Sequence, residues 1–295
     1  MFDLFEKQTG FMGCAESYEE SRLVLVGAPM DLTVSFRPGT RFGPQQIRRV
    51  SYGLEEYSFD LDRDLADCNF YDAGDVSLPF GSVQESLRRI GLVTAKLLVM
   101  GKFPITLGGE HLVSLPVLQE MARVYPRLAV IVFDAHTDLR EDYLGEEYSH
   151  ATVMRRVTEV VGGCNLYQFG IRSGTKAEFD FARQNTNLHL NELIAPLQEL
   201  IPQLGNRPVY VSVDIDVVDP AYAPGTGAPE PGGCTSAEII KAIHLLDSLN
   251  VVGFDLVEVC PPYDQSERTA LLAAKLVREA ILTFGGTMRS GKTND

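Results

Sequence analysis

Along the chain, short runs of β-branched and aliphatic residues alternate with longer stretches in which apolar residues return every three or four positions. The short runs are Arg22 to Ala28, Asn69 to Tyr71, Pro104 to Leu107, Leu128 to Phe133, Leu166 to Phe169, Val209 to Val213 and Val251 to Val257. Strand-sized runs separated by helix-sized ones predict βαβ units and a mainly parallel sheet. Several runs, LAVIVF at 128–133 above all, are apolar without alternation, as strands covered on both faces require. The predicted fold class is therefore α/β, a three-layer α/β/α sandwich around a mainly parallel central sheet.

The helical stretches carry their own end signals. Ser82 with Glu85 and Thr235 with Glu238 have capping-box spacing, and Gly101 stands where a C-terminal glycine cap belongs. Leu87, Ile90, Val93 and Leu97 repeat at helical spacing, as do Ile239, Ile243 and Leu246, and both sets read as core-facing stripes. With no repeat, low-complexity tract or linker in view, residues 1–295 are expected to form one domain, with a core over about 22–284 and a flexible tail at 286–295.

Composition adds constraints on partners. Apolar residues at 45% and charged residues at 22% suit an ordinary globular core. A formal net charge of -14 disfavours nucleic acid or an anionic membrane as partner and suits a small cation. Cys14, Cys68, Cys164, Cys234 and Cys260 are odd in number, widely spaced and free of any C-x-x-C pair. That argues against a disulfide framework or a zinc knuckle and for a reducing, cytoplasmic setting. The start, MFDLFEKQTG, lacks the basic and apolar regions of a signal peptide, and no run approaches the roughly 18 apolar residues of a membrane span.

Chemistry gathers directly after the apolar runs, in GAPMD, DAGD, LGGEH, FDAHTD, FGIRS, SVDIDVVDP and DLVEV. Ligands of parallel α/β sheets bind at the carboxyl ends of the strands, so these seven ends are expected to line one polar crevice. Asp134, His136 and Asp138 fall at i, i+2 and i+4, one face of an extended backbone. Asp214 and Asp216 share a face in the same way, and His111 offers a sixth ligand. One acid near a strand end is as readily a cap or a turn residue. Four acids this close cannot all stay ionised without cations, and two divalent ions would balance them. Oxygen-rich coordination with one imidazole per metal suits Mn²⁺ better than structural zinc, with zinc, cobalt and iron left open. Such a pair activates water for attack on an electrophilic carbon or phosphorus, so hydrolysis is expected. The chain has no G-x-x-x-x-G-K-[ST] loop and no basic cluster among these motifs, which argues against phosphoryl transfer.

Together, GGEH at 108–111, DAHTD at 134–138, SVDIDVVDP at 212–220 and the Glu258-Val259 pair resemble the ureohydrolases, the arginase and agmatinase family, over roughly residues 22–284. RPGTRFGP, GLEEY, DAGD, YSHA and PGTG are most similar to its bacterial agmatinase branch. The resemblance implies that His111, Asp134, Asp138 and Asp214 hold one metal and that Asp134, His136, Asp214 and Asp216 hold the other. It further implies that Asp138 orients the nucleophile, that Glu258 pairs with the substrate guanidinium, and that His150 contacts the substrate and passes a proton to the leaving amine. Implied with these are two Mn²⁺ per chain, conversion of agmatine to putrescine and urea, and a homo-oligomer, trimer or hexamer. Guanidinobutyrate or arginine is the alternative substrate, and a non-catalytic family member the more distant reading.

One departure bears on substrate choice. Where arginases carry an asparagine two positions after the last Asp of DAHTD, this chain has Arg140. The loop continues with Glu141, Asp142, Glu146 and Glu147. One or more of these acids is expected to face the crevice, favour a terminal ammonium and repel a carboxylate, while Arg140 points outward and pairs with a neighbouring acid.

Overall fold

The computed structural model describes residues 5–6 and 10–285; the expected flexible tail at 286–295 lies outside the described residues. The strands are β1 (Phe5–Glu6), β2 (Leu23–Ala28), β3 (Tyr57–Ser58), β4 (Arg63–Asp64), β5 (Phe70–Val76), β6 (Phe103–Gly108), β7 (Ala129–Phe133), β8 (Leu166–Ile171), β9 (Asn187–Leu190), β10 (Pro208–Asp214) and β11 (Asn250–Val257). The helices are α1 (Gly43–Ser51), α2 (Val83–Val99), α3 (Ser114–Val124), α4 (Val153–Val161), α5 (Lys176–Asn185), α6 (Ile194–Leu204), α7 (Ser236–Leu245) and α8 (Arg268–Gly285). Nine strands make the central sheet, in the order β1-β5-β2-β6-β11-β10-β7-β8-β9. Eight of them run parallel, and the short edge strand β1 pairs antiparallel with β5.

Side-chain alternation explains the layers. On β7, Ala129, Ile131 and Phe133 enter the core shared with α1, α6, α7 and α8, whereas Val130 and Val132 enter the core shared with α3 and α4. All five are buried, because both faces of the strand are covered. Each such Val, Ile or Phe contributes about 1.5–3 kcal/mol on leaving water. The expected α/β sandwich is the observed one.

Several details differ from the sequence reading. Strand β5 runs on through DAGD to Val76, so Asp72 and Asp75 lie within a strand and not in a loop at its end. Strands β1 and β9 were not anticipated; β9 is the polar-flanked sheet edge NLHL, which periodicity hides. The Thr235–Glu238 box forms, and Thr175–Glu178 forms another. Ser82 caps α2 alone, since the Glu85 carboxylate turns instead to Arg88 and Arg89.

Topology places the chemistry. The middle of the sheet reads β6, β11, β10, β7, so strands far apart in sequence lie side by side and chain order breaks at β6/β11 and again at β10/β7. Such breaks splay the following loops apart and open a crevice at the carboxyl ends. His111, Glu258, Asp214 and Asp134 follow or end these four strands.

Candidate metal centre

Backbone geometry at each strand end turns the ligands inward. Strand β6 stops at Gly108, and a Cβ on Gly109 would come within 1.9 Å of Met30 O, so only glycine lets this turn pass. His111 then opens a 3₁₀ turn leading into α3. Asp214 ends β10 and accepts from the Asp216 amide at 2.9 Å, so a one-turn 3₁₀ segment, not the expected extended pleat, brings these two acids together. Asp138 and Glu258 sit at positive φ (51° and 65°), an arrangement side chains other than glycine resist and that recurs at functional sites.

Two groups result, one of four residues and one of three, and they share Asp134. Around His111 Nδ1 stand Asp134 Oδ2 at 3.1 Å, Asp138 Oδ2 at 3.2 Å and Asp214 Oδ2 at 3.4 Å. Around His136 Nδ1 stand Asp216 Oδ2 at 2.9 Å and Asp134 Oδ1 at 3.8 Å. All six predicted ligand residues thus meet within one region, and five of them are buried. His111 Nδ1 and Asp134 Oδ2 are buried and form no hydrogen bond despite their proximity. Buried polar atoms are almost always satisfied, so an imidazole nitrogen ringed by three carboxylate oxygens marks a place for a cation.

Protonation tells the same story. Burial lifts Asp134 to about 7, with Asp138 and Asp216 adding repulsion. Burial and the neighbouring Asp216 and Asp134 push Asp214 well above the carboxylate range. Burial opposes charge on His136, yet Asp216 and Asp134 outweigh it and hold the ring up at about 11. Without a cation, these acids must therefore keep protons or borrow imidazolium charge.

A polar chain inside apolar strands fixes His111 from behind. Ser212 Oγ donates to Asp255 Oδ1 at 2.6 Å, and Tyr210 OH donates to Asp255 Oδ2 at 2.7 Å. A serine hydroxyl has one proton, so at 3.1 Å Ser212 accepts from His111 Nε2–H and leaves the Nδ1 lone pair facing the three acids. Arg172 clamps the other side, donating to Asp216 O at 2.7 Å and Val217 O at 3.1 Å. Neither support was anticipated from the sequence, although a Ser and an Asp inside otherwise apolar strands were the available signal.

Comparison with known proteins places this geometry. The arginase family model matches residues 21–283. The chain belongs to the arginase family. An agmatinase of Bacillus subtilis (strain 168) is 54% identical over 278 residues, covering 93% of this chain and 96% of the relative. The crystal structure of agmatine ureohydrolase of Thermoplasma volcanium superposes with a TM-score of 0.86 at 32% identity, covering 95% of each chain. Proclavaminate amidino hydrolase from Streptomyces clavuligerus gives 0.88 at 32% identity, covering 95% of this chain and 98% of that one.

In this arginase-family chain four of the six candidate ligand residues, His136, Asp138, Asp214 and Asp216, line a cavity of about 280 Å³ that Glu258 and His150 also line. Glu258 Oε1 accepts from the His111 amide at 2.8 Å, and burial, opposed by that bond, pushes its carboxyl up to about 8. Its Oε2 faces Gly227, where a Cβ would sit 3.3 Å away, so no side chain fills that side. His150 is half-buried; burial lowers its pKa, partly offset by Asp138.

The outer wall corrects the loop expectation. Glu141, Asp142, Glu146 and Glu147 are exposed and none lines the cavity. Asp142 closes its own turn on the Gly145 amide at 3.0 Å, and Glu147 pairs with Arg156 at 2.6 Å. Arg140, expected to point outward, lines the cavity instead, stacked 4.8 Å over the Tyr143 ring and 3.7 Å from Glu178. DAGD also lies apart from this cavity, with Asp72 and Asp75 bound by Arg48.

Proposed function

We propose that the chain hydrolyses the guanidinium group of agmatine to putrescine and urea, as an agmatinase. The observation that carries the reading is the open cluster of four carboxylates and two imidazoles beside a buried, uncompensated Glu258. Two divalent cations fit it, His111, Asp134, Asp138 and Asp214 holding one and Asp134, His136, Asp214 and Asp216 the other; the oxygen-rich set favours manganese. When bound, such a pair supplies an activated water and positive charge for the developing tetrahedral centre. Glu258, held by the His111 amide, receives the planar guanidinium, whose charge restores its ionisation. Asp138 accepts a hydrogen bond from the nucleophile and aims it, and His150 delivers a proton to the leaving amine. The apolar contacts on both sides of one sheet support reading about 22–284 as one domain.

Supporting the substrate assignment, four relatives named agmatinase are 50–54% identical over 95–96% of their own length. Five free cysteines support a reducing, cytoplasmic setting, and putrescine as product supports a place in polyamine biosynthesis; among the described residues no helix is long and apolar enough to cross a membrane. A homo-oligomer, trimer or hexamer, rests on family resemblance. One observation favours a second reading: Arg140 in the cavity wall would welcome a carboxylate tail, as in guanidinobutyrate. Urea release after Mn²⁺ loading separates the two. Agmatine should exceed arginine and guanidinobutyrate in kcat/KM by roughly 10²-fold or more, about 3 kcal/mol of discrimination. Parity with guanidinobutyrate would hand the assignment to the second reading.

A further inference from the structure

The loop after β2 carries no metal ligand, yet it is tied to His150 with unusual care. Glu110, fully buried next to His111, turns away from the metal cluster and accepts from the Leu32 amide at 3.3 Å, the Thr33 amide at 2.9 Å and Thr33 Oγ1 at 2.8 Å. Thr33 Oγ1 in turn accepts from the His150 amide at 3.0 Å. At the far end of the loop, Asp31 accepts from the Gly39 amide at 2.9 Å and pairs with Arg41 at 3.2 Å. The loop and the YSHA turn are therefore locked in register, and one side chain profits: Ser35 Oγ lies 3.1 Å from His150 Nε2.

The two ring nitrogens have different surroundings. His150 Nδ1 is buried and without a hydrogen-bond partner, so it is closed to solvent. Nε2 meets Ser35, which is exposed and lines the same cavity as Asp138 and Glu258. We propose that Ser35 is a positioning residue for the reaction, orienting His150 and returning solvent protons to its Nε2 after each turnover. This rests on the reading of His150 as proton donor. At the donation step the Nε2–H bond breaks and an N–H bond forms on the departing amine. In recharging, the Ser35 O–H proton moves to Nε2 and Ser35 regains one from a solvent or buffer acid. One proton enters for each one delivered. A hydroxyl is suited to this because it donates and accepts at once.

The test uses the full-length, Mn²⁺-loaded chain and its Ser35→Ala, Ser35→Thr and His150→Ala variants, assayed for urea release from agmatine. Ser35→Ala should lower kcat by about 10-fold with KM changed less than about twofold, a smaller loss than the roughly 10²–10⁴-fold of removing the donor itself in His150→Ala. Ser35→Thr should recover most of kcat. Small buffer acids should raise kcat of Ser35→Ala with concentration and leave wild type unmoved, a response that a packing defect does not produce. Slow His150→Ala with unchanged Ser35→Ala would overturn the Ser35 inference alone. So would a slow Ser35→Ala that neither threonine nor buffer restores. Unchanged His150→Ala would instead overturn the proton-donor reading on which the inference stands.

Discussion

Arg48, Asp72 and Asp75 form one buried charge cluster at β5; His111, Asp134, Asp138, Asp214, His136 and Asp216 form another, beginning two strands away in the same sheet. In the first, Arg48 donates to Asp72 at 2.7 and 3.0 Å, to Asp75 at 2.5 Å and to Gly74 O at 3.1 Å, while Asp72 also accepts from the Phe11 and Gly74 amides. Burial opposes charge on Arg48, but the two acids outweigh it and raise its pKa. Every charge there has its partner inside the protein. In the second, Asp134 and Asp214 are pushed towards neutrality, and two facing atoms stay unbonded. The lesson is that burial and charge alone do not mark a site. Closure by internal hydrogen bonds marks a structural cluster, and unbonded polar atoms among carboxylates pushed towards neutrality mark a binding one.

The largest expected effect breaks the two clusters apart. Asp134→Asn or Asp214→Asn removes a carboxylate proposed to serve both cation positions; urea release should fall by about 10³-fold or more, the several kcal/mol a metal centre supplies at 1.36 kcal/mol per decade. Metal content should fall with it while the fold persists. Asp72→Ala should do the reverse: loss of about 3–5 kcal/mol of stability, because Arg48 keeps only Asp75 and Gly74 O as partners and the Phe11 and Gly74 amides lose their acceptor, with normal turnover per folded, metal-loaded molecule. Denaturation midpoints, metal analysis and urea assays on the same preparations would show whether the two phenotypes separate.

A smaller effect follows from pH. A carboxyl whose pKa rises on folding binds its proton more tightly when folded, so its stabilising contribution is full below the ordinary carboxylate range and is lost as pH climbs through the folded value. With Asp134 at about 7 and Glu258 at about 8, that loss falls between about pH 4 and 8. His136, held up at about 11, loses stability in the same direction above its ordinary value. The metal-free chain should therefore melt at lower temperature at pH 8 than at pH 5, and the gain in Tm on adding Mn²⁺ should widen over that range. A gap that narrows with rising pH would contradict the charge-deficit account.

The smallest effect concerns the loop. Glu141→Gln, Asp142→Asn and Glu146→Gln should each leave agmatine kcat/KM within about twofold, since exposed side chains away from the cavity usually change energies by under about 0.5 kcal/mol. A tenfold loss in any of them would return that acid to the crevice.

Much of this was legible in the residues. Continuous apolar runs identified the central strands because both faces are covered, and DAHTD and SVDIDVVDP pointed to the acids and imidazoles that the fold brings together because acids so dense are rare without cations. DAGD misled, since two Asp residues after an apolar run look alike whether a cation or Arg48 receives them, and Arg48 lies 24 residues from Asp72. Arg140 misled for a related reason: local acids suggested a partner, but the ring of Tyr143 and the distant Glu178 set its direction. Ser35 and Glu110 left no periodic or spacing signal, because their meaning lies in contacts 115 and 77 residues away along the chain.

The central claim is that the charge deficit around Asp134 is filled by two cations and that this makes the guanidinium hydrolase. Metal-stripped protein titrated with Mn²⁺, with bound metal and urea release from agmatine followed together, tests it most directly. The account predicts no turnover without metal and activity that levels off at two ions per chain. Full activity in stripped protein, or saturation of both signals at one ion per chain, would contradict it.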